Sequence, residues 1–305
     1  EMKNHSTEIE FILLGLTDDP QLQVVIFVFL FLNYTLSLMG NLTIILLTLL
    51  DPRLKMPMYF FLRNFSFLEI IFTTVCIPRY LKTIVTKEKT ISYNNCAAQL
   101  FFILLLGVTE FYLLAAMSYD RYVAICKPLH YPIIMNSRVC YQLLVAGSYF
   151  CGCFSSILLT SVTFTLSFCA SRAIDHFYCD YRPLQRISCS DLYFHKIVSF
   201  FLCSIIILPT IIVILVSYMY IVSTVLKIRS TEGRKKAFST CSSHLGVVSV
   251  LYGAIIFMYF IPDRFPELSK VASLCYTLVT PMLNPLIYSL RNKDVKEALR
   301  KILGK

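Results

Sequence analysis

The sequence predicts an all-α membrane protein: a seven-transmembrane-helix bundle followed by a short amphipathic C-terminal helix. Three observations lead there. The 305 residues are 57% apolar and only 15% charged, against about 45–50% and about 25% in soluble domains. The apolar excess gathers in seven long blocks. Lys and Arg collect in every second connection between those blocks.

The blocks lie near residues 24–50, 58–80, 96–124, 139–166, 197–226, 237–261 and 271–289. Each is long enough to cross roughly 30 Å of hydrocarbon as a helix. Little chain remains to build a soluble domain, so residues 1–305 read as a single seven-span domain. Residues 1–23 form the N-terminal segment, without an apolar leader core, and 290–305 form the tail. With nine Gly and twelve Pro, the chain is too poor in both for a low-complexity or collagen-like class.

An odd number of spans places the termini on opposite sides. The side carrying the C-terminus holds 16 basic and five acidic residues, a net charge of +11, while the other side is neutral. Cytoplasmic loops carry the Lys/Arg excess, so the N-terminus is expected outside and the tail in the cytoplasm. The basic charge lies in loops beside a bilayer, where anionic lipid is the natural partner. No nucleic-acid partner is expected. The sequon Asn4-His5-Ser6 then falls on the outer side as a glycosylation acceptor.

Twelve cysteines divide by compartment. Cys96, Cys169, Cys179 and Cys189 lie at or beyond the outer surface, where disulfides persist. Four cysteines allow three pairings, and spacing alone does not choose among them. Catalytic signatures are missing: there is no GxxxxGK[ST], HExxH, GxSxG or CxxC, and the five His show no metal-ligand spacing. No enzyme chemistry and no firm metal site are expected.

Polar groups inside the apolar blocks stand out. Glu69 and Glu110 lie mid-span, where an ionised carboxylate is costly and usually functional. They suit a sodium ion held between them, a shared proton, or two neutral hydrogen-bonded carboxyls. Asn41 and Asn284 are candidates for the same network. Pro78, Pro209, Pro281 and Pro285 each remove a helix hydrogen bond, giving either hinges or static bends.

Several motifs then fall in order along the chain. Pro57-Met58-Tyr59-Phe60-Phe61-Leu62 opens the second block. Met117-Ser118-Tyr119-Asp120-Arg121-Tyr122-Val123-Ala124-Ile125-Cys126 closes the third, followed by Leu129-His130-Tyr131-Pro132. Lys236-Ala237-Phe238-Ser239-Thr240-Cys241-Ser242-Ser243-His244 opens the sixth, and Pro281-Met282-Leu283-Asn284-Pro285-Leu286-Ile287-Tyr288 lies in the seventh. Together they resemble the vertebrate odorant (olfactory) receptors, tetrapod-type class, of the rhodopsin-like G-protein-coupled receptor superfamily. The likeness spans roughly residues 8–300.

The resemblance implies a receptor of the plasma membrane, in olfactory sensory cilia. It would bind small volatile odorants toward the outer third of the bundle. It would activate a heterotrimeric stimulatory olfactory-type G protein and raise cyclic AMP, needing no cofactor. The resemblance also implies the disulfides Cys96–Cys179 and Cys169–Cys189. It makes Asp120, Arg121, Tyr122, Tyr218, Lys235, Lys236, Asn284, Pro285 and Tyr288 the switch and coupling residues, with Arg121 held by Asp120 at rest.

Family analogy and helical spacing give a ligand-binding set. It comprises Ile103, Leu104, Gly107 and Val108 on the third span, and Leu202, Cys203 and Ile206 on the fifth. Tyr252, Ile255, Ile256 and Tyr259 on the sixth and Thr277 on the seventh complete it. The chain has no Trp, and Tyr252-Gly253 stands where the superfamily carries a sixth-span Trp and Pro. The loop after the fourth span carries Arg182 and Arg186, more basic than the family pattern: they attract anionic odorants or are simply solvated.

Overall fold

A computed structural model describes residues 10–169, 172–260, 266–291 and 293–302, with some helical residues described by backbone alone. Asn4 lies outside the described residues. Seven long helical segments form the bundle. Helix α1 spans Pro20–Leu50, α2 Pro57–Thr86 and α3 Tyr93–Cys126. Helix α4 covers Ser137–Thr163 and is π-wound over Leu143–Phe150. Helix α5 spans Tyr193–Lys227 and α6 Thr231–Phe260. Helix α7 runs through Pro266–Leu274, a π-turn at Cys275–Val279, and Thr280–Arg291. A short α8 follows over Lys293–Ile302.

Local chemistry fixes the helix starts. Asp19 caps α1, its carboxylate accepting from the backbone N–H of Gln21 at 2.9 Å, with Pro20 in the first turn. Ser92 caps α3 and Asn136 caps α4 in the same way. Pro78, Pro209 and Pro285 sit inside continuous helices. Helices α1 to α5 are long and apolar enough to cross a membrane. In α6 the apolar stretch is shorter, Cys241–Phe257, because the polar run before Cys241 opens the helix. The buried helix α3 is the axis of the bundle, packing against α2, α4, α5 and α6.

The all-α bundle carries one addition, a three-stranded sheet at the end where α3 begins. Strand β1 (Glu10–Leu13) lies between β2 (Thr90–Ser92) and β3 (Ala173–Ile174), antiparallel to β2 and parallel to β3. Its residues alternate, so Phe11 and Leu13 are buried while Glu10 and Ile12 face out. Phe11 is fully buried, stacked on Tyr93 at 6.2 Å and edge-on to Phe168 at 5.1 Å. Gly15 follows with φ of +81°, a conformation costly for any residue with a Cβ. A Cβ there would also sit 2.8 Å from the Tyr80 ring. The Leu16 N–H donates to the Tyr80 hydroxyl at 2.9 Å, tying the N-terminal segment to α2.

The opposite end is organised by charge. Arg53 pairs with Asp51 at 2.9 Å and with Glu297 of α8 at 3.1 Å. Its hydrogen bonds pull the Asp51 carboxyl down to about 2. The Tyr59 hydroxyl donates to Asp294 at 3.0 Å. Val295 and Ala298 turn inward, so α8 is amphipathic and docked rather than free.

Candidate functional site

Between α3, α5, α6 and α7, toward the sheet end, the bundle holds a partly open cavity of about 140 Å³. An apolar cavity near 150 Å³ takes a benzene-sized guest. Eight of the twelve residues expected to bind ligand meet in its wall: Ile103, Leu104, Gly107, Val108, Leu202, Cys203, Ile206 and Ile255.

Four do not. Ile256 is 45% exposed and faces outward. Successive helical residues differ by about 100° in direction, so Ile255 and Ile256 do not both reach the cavity. Tyr252 lies behind the wall, its hydroxyl donating to Thr210 at 2.8 Å and its ring edge-on to cavity-lining Phe111 at 4.9 Å. Thr277 turns its buried hydroxyl back to the Ser273 carbonyl at 2.9 Å. The π-turn at Cys275–Val279 changes the helical register, and its cavity residue is Tyr276. The Tyr259 side chain lies outside the described residues.

The remaining wall was missed by spacing. Phe111, Ser155 and Leu159 come from α3 and α4, Ser199 and Ile207 from α5, and Ser269, Ser273 and Tyr276 from α7. Tyr178, Asp180, Tyr181 and Arg182 come from the loop after α4 and form the roof. One sequence signal pointed to the roof. These loop residues flank Cys179, which is bonded to Cys96 at the start of α3 with a Cα separation of 5.5 Å. The Cys179 N–H also donates to Gln99 at 2.9 Å. A second bridge joins Cys169 to Cys189.

Aromatic stacking stiffens the roof. His176 stacks on Phe177 at 4.8 Å, and Phe177 meets Tyr80 at 5.5 Å and Tyr178 at 4.7 Å. Burial drives the His176 imidazole down to about 3, so it is neutral at physiological pH. The neighbouring Asp175 pairs with Lys270 of α7 at 2.5 Å. Burial likewise raises the Asp180 carboxyl.

The floor leads to the mid-span carboxylates. A Cβ on Gly107 would lie 3.1 Å from the Tyr276 hydroxyl, so this glycine makes room for the tyrosine. Tyr276 hydrogen-bonds Glu110. Glu69 accepts from the Asn284 amide, and the Asn41 amide donates to the Pro281 carbonyl at 3.1 Å. All four polar residues are buried. One oxygen each of Glu110, Asn41 and Asn284 is left without a hydrogen-bond donor. Pro285 packs against α1 at Gly40.

At the opposite end, Arg121 and Asp120 close α3. The Asp120 carboxylate accepts from the Tyr131 hydroxyl at 2.8 Å. Its second oxygen and one Arg121 Nη are buried without a hydrogen-bond partner. Among the described residues Asp120 and Arg121 share no hydrogen bond, although the Arg121 charge acts on the Asp120 carboxylate. Tyr131 takes the carboxylate because the segment after α3 folds back under the bundle. Tyr218 donates to or accepts from His244 Nδ1 at 2.7 Å, with the rings stacked at 5.8 Å. Tyr122 lies against Tyr220 and under the Lys127 ammonium. Lys235 is exposed. The side chains of Lys236 and Tyr288 lie outside the described residues.

Comparison with known proteins gives this architecture its lineage. The family model described as olfactory receptor matches residues 29–305. Olfactory receptor 9K2 of Homo sapiens is 64% identical over 302 residues, covering 99% of this chain and 90% of that one. Olfactory receptor 6C6 of Homo sapiens is 63% identical over 306 residues, covering 100% and 97%. Squid rhodopsin shares the fold, with a TM-score of 0.71 at 16% identity over 93% of this chain and 81% of that one. Cavity, central α3 and seven-helix frame therefore sit in a recognised lineage, and the chain belongs to the olfactory receptor family, whose members are G-protein-coupled membrane receptors and not enzymes.

Proposed function

We propose that this receptor binds small volatile odorants in the cavity between α3, α5, α6 and α7. Binding activates a stimulatory olfactory-type G protein and raises cyclic AMP. The carrying observation is the mostly apolar cavity, separated along the bundle from Arg121. A ten-atom odorant at about 0.5 kcal/mol per heavy atom gains about 5 kcal/mol, an affinity on the order of 100 µM. The basic connections favour an orientation with the sheet end outside and Arg121 in the cytoplasm. Plasma membrane of sensory cilia is the fitting location, with Asn4 as the glycosylated asparagine.

The mechanism is a population shift. A ligand favours the signalling arrangement by its difference in affinity for the two states, and by nothing else. Tyr276 and Phe111 touch the ligand cavity on one side, and Glu110 and Tyr252 on the other. The sixth helix swings outward, and the Gα C-terminal helix docks beside Arg121, Tyr122, Tyr218 and Lys235, a helix-in-groove mode. Lys236, Pro285 and Tyr288 belong to the same coupling set. A panel of chemically diverse odorants, read by a cyclic AMP reporter in cells displaying the receptor, tests this. Leu202→Trp fills the cavity and is expected to weaken the response more than about tenfold with surface expression retained. A response indifferent to Leu202→Trp would place the ligand elsewhere.

The Glu69–Glu110 pair is proposed to hold a sodium ion or a shared proton. Three buried oxygens lacking donors, on Glu110, Asn41 and Asn284, support a positive charge among them. Replacing choline chloride by sodium chloride at constant ionic strength is expected to raise the melting temperature of the wild type and not of Glu110→Gln. Sodium-independent melting in both, with altered basal signalling in Glu110→Gln, leaves the proton. Unchanged melting, expression, basal signalling and dose response in Glu110→Gln remove the pair's role.

A further inference from the structure

Helix α2 carries a cation inside its apolar block. Arg63 stands six residues beyond Pro57, the first residue of the helix, or about 9 Å along its axis. The inward face of this stretch is Phe61, Leu62, Phe65 and Leu68, all buried in the core. Arg63 lies on the other face and is partly buried. Its neighbours at i−3 and i+4 share that face: Phe60 is partly buried, and Phe67, one turn deeper, is 50% exposed. Arg63 therefore looks toward lipid, not into the bundle.

Among the described residues its guanidinium has one partner, the Phe60 ring, 5.6 Å from the centroid. A counter-charge is missing for a reason visible in the chain. No acidic residue lies between Asp51 and Glu69, or between Asp120 and Asp175. Asp51 is taken by Arg53, and Glu69 is buried on Asn284. Helix α4, which packs beside this part of α2, thus carries no carboxylate at all. It adds a second cation instead. Tyr141 of α4 meets Phe60 at 5.2 Å and is 59% exposed. Arg138 lies one turn before Tyr141, exposed on the first turn of α4, with no ion pair among the described residues. Both helices start at the end where Arg121 closes α3. From the rim inward, the cleft between them therefore presents Arg138, then Tyr141 against Phe60, then Arg63, then Phe67.

An intramembrane cation without a carboxylate takes its partner from the headgroup layer, toward which a long side chain snorkels. A guanidinium matches a phosphate in two hydrogen bonds. Two cations without counter-charge favour a headgroup of net negative charge over phosphatidylcholine, whose choline offsets its own phosphate. Exposed Phe67 offers an apolar surface to an acyl chain. We propose that the cleft between α2 and α4 is a binding site for one acidic phospholipid of the leaflet on the Arg121 side. Arg63 grips the phosphate, Arg138 holds the headgroup at the rim, and an acyl chain lies along Phe67. The site needs only the membrane-spanning bundle and is independent of what the cavity binds.

The test uses the intact receptor in nanodiscs of phosphatidylcholine, with and without phosphatidylserine. Melting temperature is read in the disc, and lipid retained after mild detergent extraction is counted by mass spectrometry. Wild type is expected to retain phosphatidylserine about tenfold over phosphatidylcholine and to melt higher when it is present. Arg63→Gln is expected to bring that preference within about twofold of unity. Lys296→Gln, which removes an exposed charge from α8 on the same side, is expected to leave it intact. Surface display confirms that each variant folds. Should Arg63→Gln fail there, Arg138→Gln at its exposed position is expected to lower the preference about threefold. The wild-type preference is expected to persist at about 1 M salt, where surface charges are screened beyond about 3 Å. No preference in wild type overturns the proposal, as does a preference that survives Arg63→Gln and Arg138→Gln. Equal losses in Arg63→Gln and Lys296→Gln, or disappearance at high salt, would mean diffuse attraction and equally overturn it. Inorganic phosphate added to phosphatidylcholine discs is expected to leave melting unchanged; a rise matching that of phosphatidylserine would make this a free-anion site and not a lipid site.

Discussion

Phe11→Ala is expected to destabilise the folded receptor by about 3–5 kcal/mol, the usual range for removing a buried phenylalanine. The ring is fully buried between Tyr93 and Phe168, in a cluster with Leu100, Ile174, Leu184 and the Cys96–Cys179 bridge. No flexible neighbour stands ready to fill the space, because the bridge and two strand pairings hold the walls. Losing the anchor loosens β1 from β2 and β3 together, and with it the roof behind Cys179. The melting temperature of purified protein and the surface display of tagged receptor are both expected to fall sharply. Ile12→Ala is the control, since Ile12 sits on the opposite face of the same strand and is 40% exposed. Equal melting temperatures for Phe11→Ala and Ile12→Ala would show that the N-terminal strand adds nothing to stability.

Arg121→Ala is expected to abolish G-protein signalling while surface display stays near wild type. The guanidinium has one buried Nη without a hydrogen-bond partner, so its removal takes away little native bonding. Signalling differs, because the docking Gα helix meets this end of α3 in the proposed mechanism. The measurement is maximal cyclic AMP response at matched surface density. The response is expected to fall to background, and ligand-induced thermal shift is expected to persist. A normal response in Arg121→Ala would exclude this arginine as the coupling residue.

Parts of this molecule were legible before any coordinates. Seven apolar stretches and alternate basic connections follow from composition read along the chain. The period of the third and fifth helices brought out seven residues that do share the cavity wall, Ile103 to Val108 and Leu202 to Ile206. The two carboxylates announced themselves by their cost in an apolar span. Other parts were illegible for physical reasons. Ile256 was grouped with Ile255 although neighbours on a helix diverge. Thr277 misses the cavity and Tyr276 lines it because the sequence carries no mark of the π-turn that sets the register. The resemblance implied that Asp120 holds Arg121, but no local pattern announces the Tyr131 hydroxyl that reaches the same carboxylate through a fold-back.

The amino-acid sequence by itself determined the membrane-embedded helical class, the crossing count, the charge asymmetry of the two ends and the family. These are sums over contiguous residues, and hydropathy and charge need no knowledge of what lies opposite. Only tertiary packing decided which helical face looks inward, which loop roofs the cavity and where Phe11 is buried. Those depend on contacts between residues far apart in the chain, such as Phe11 with Ile91 and Ile174, or Gly107 with Tyr276. Such contacts are selected by how close-packed surfaces fit together, a property that no single segment carries.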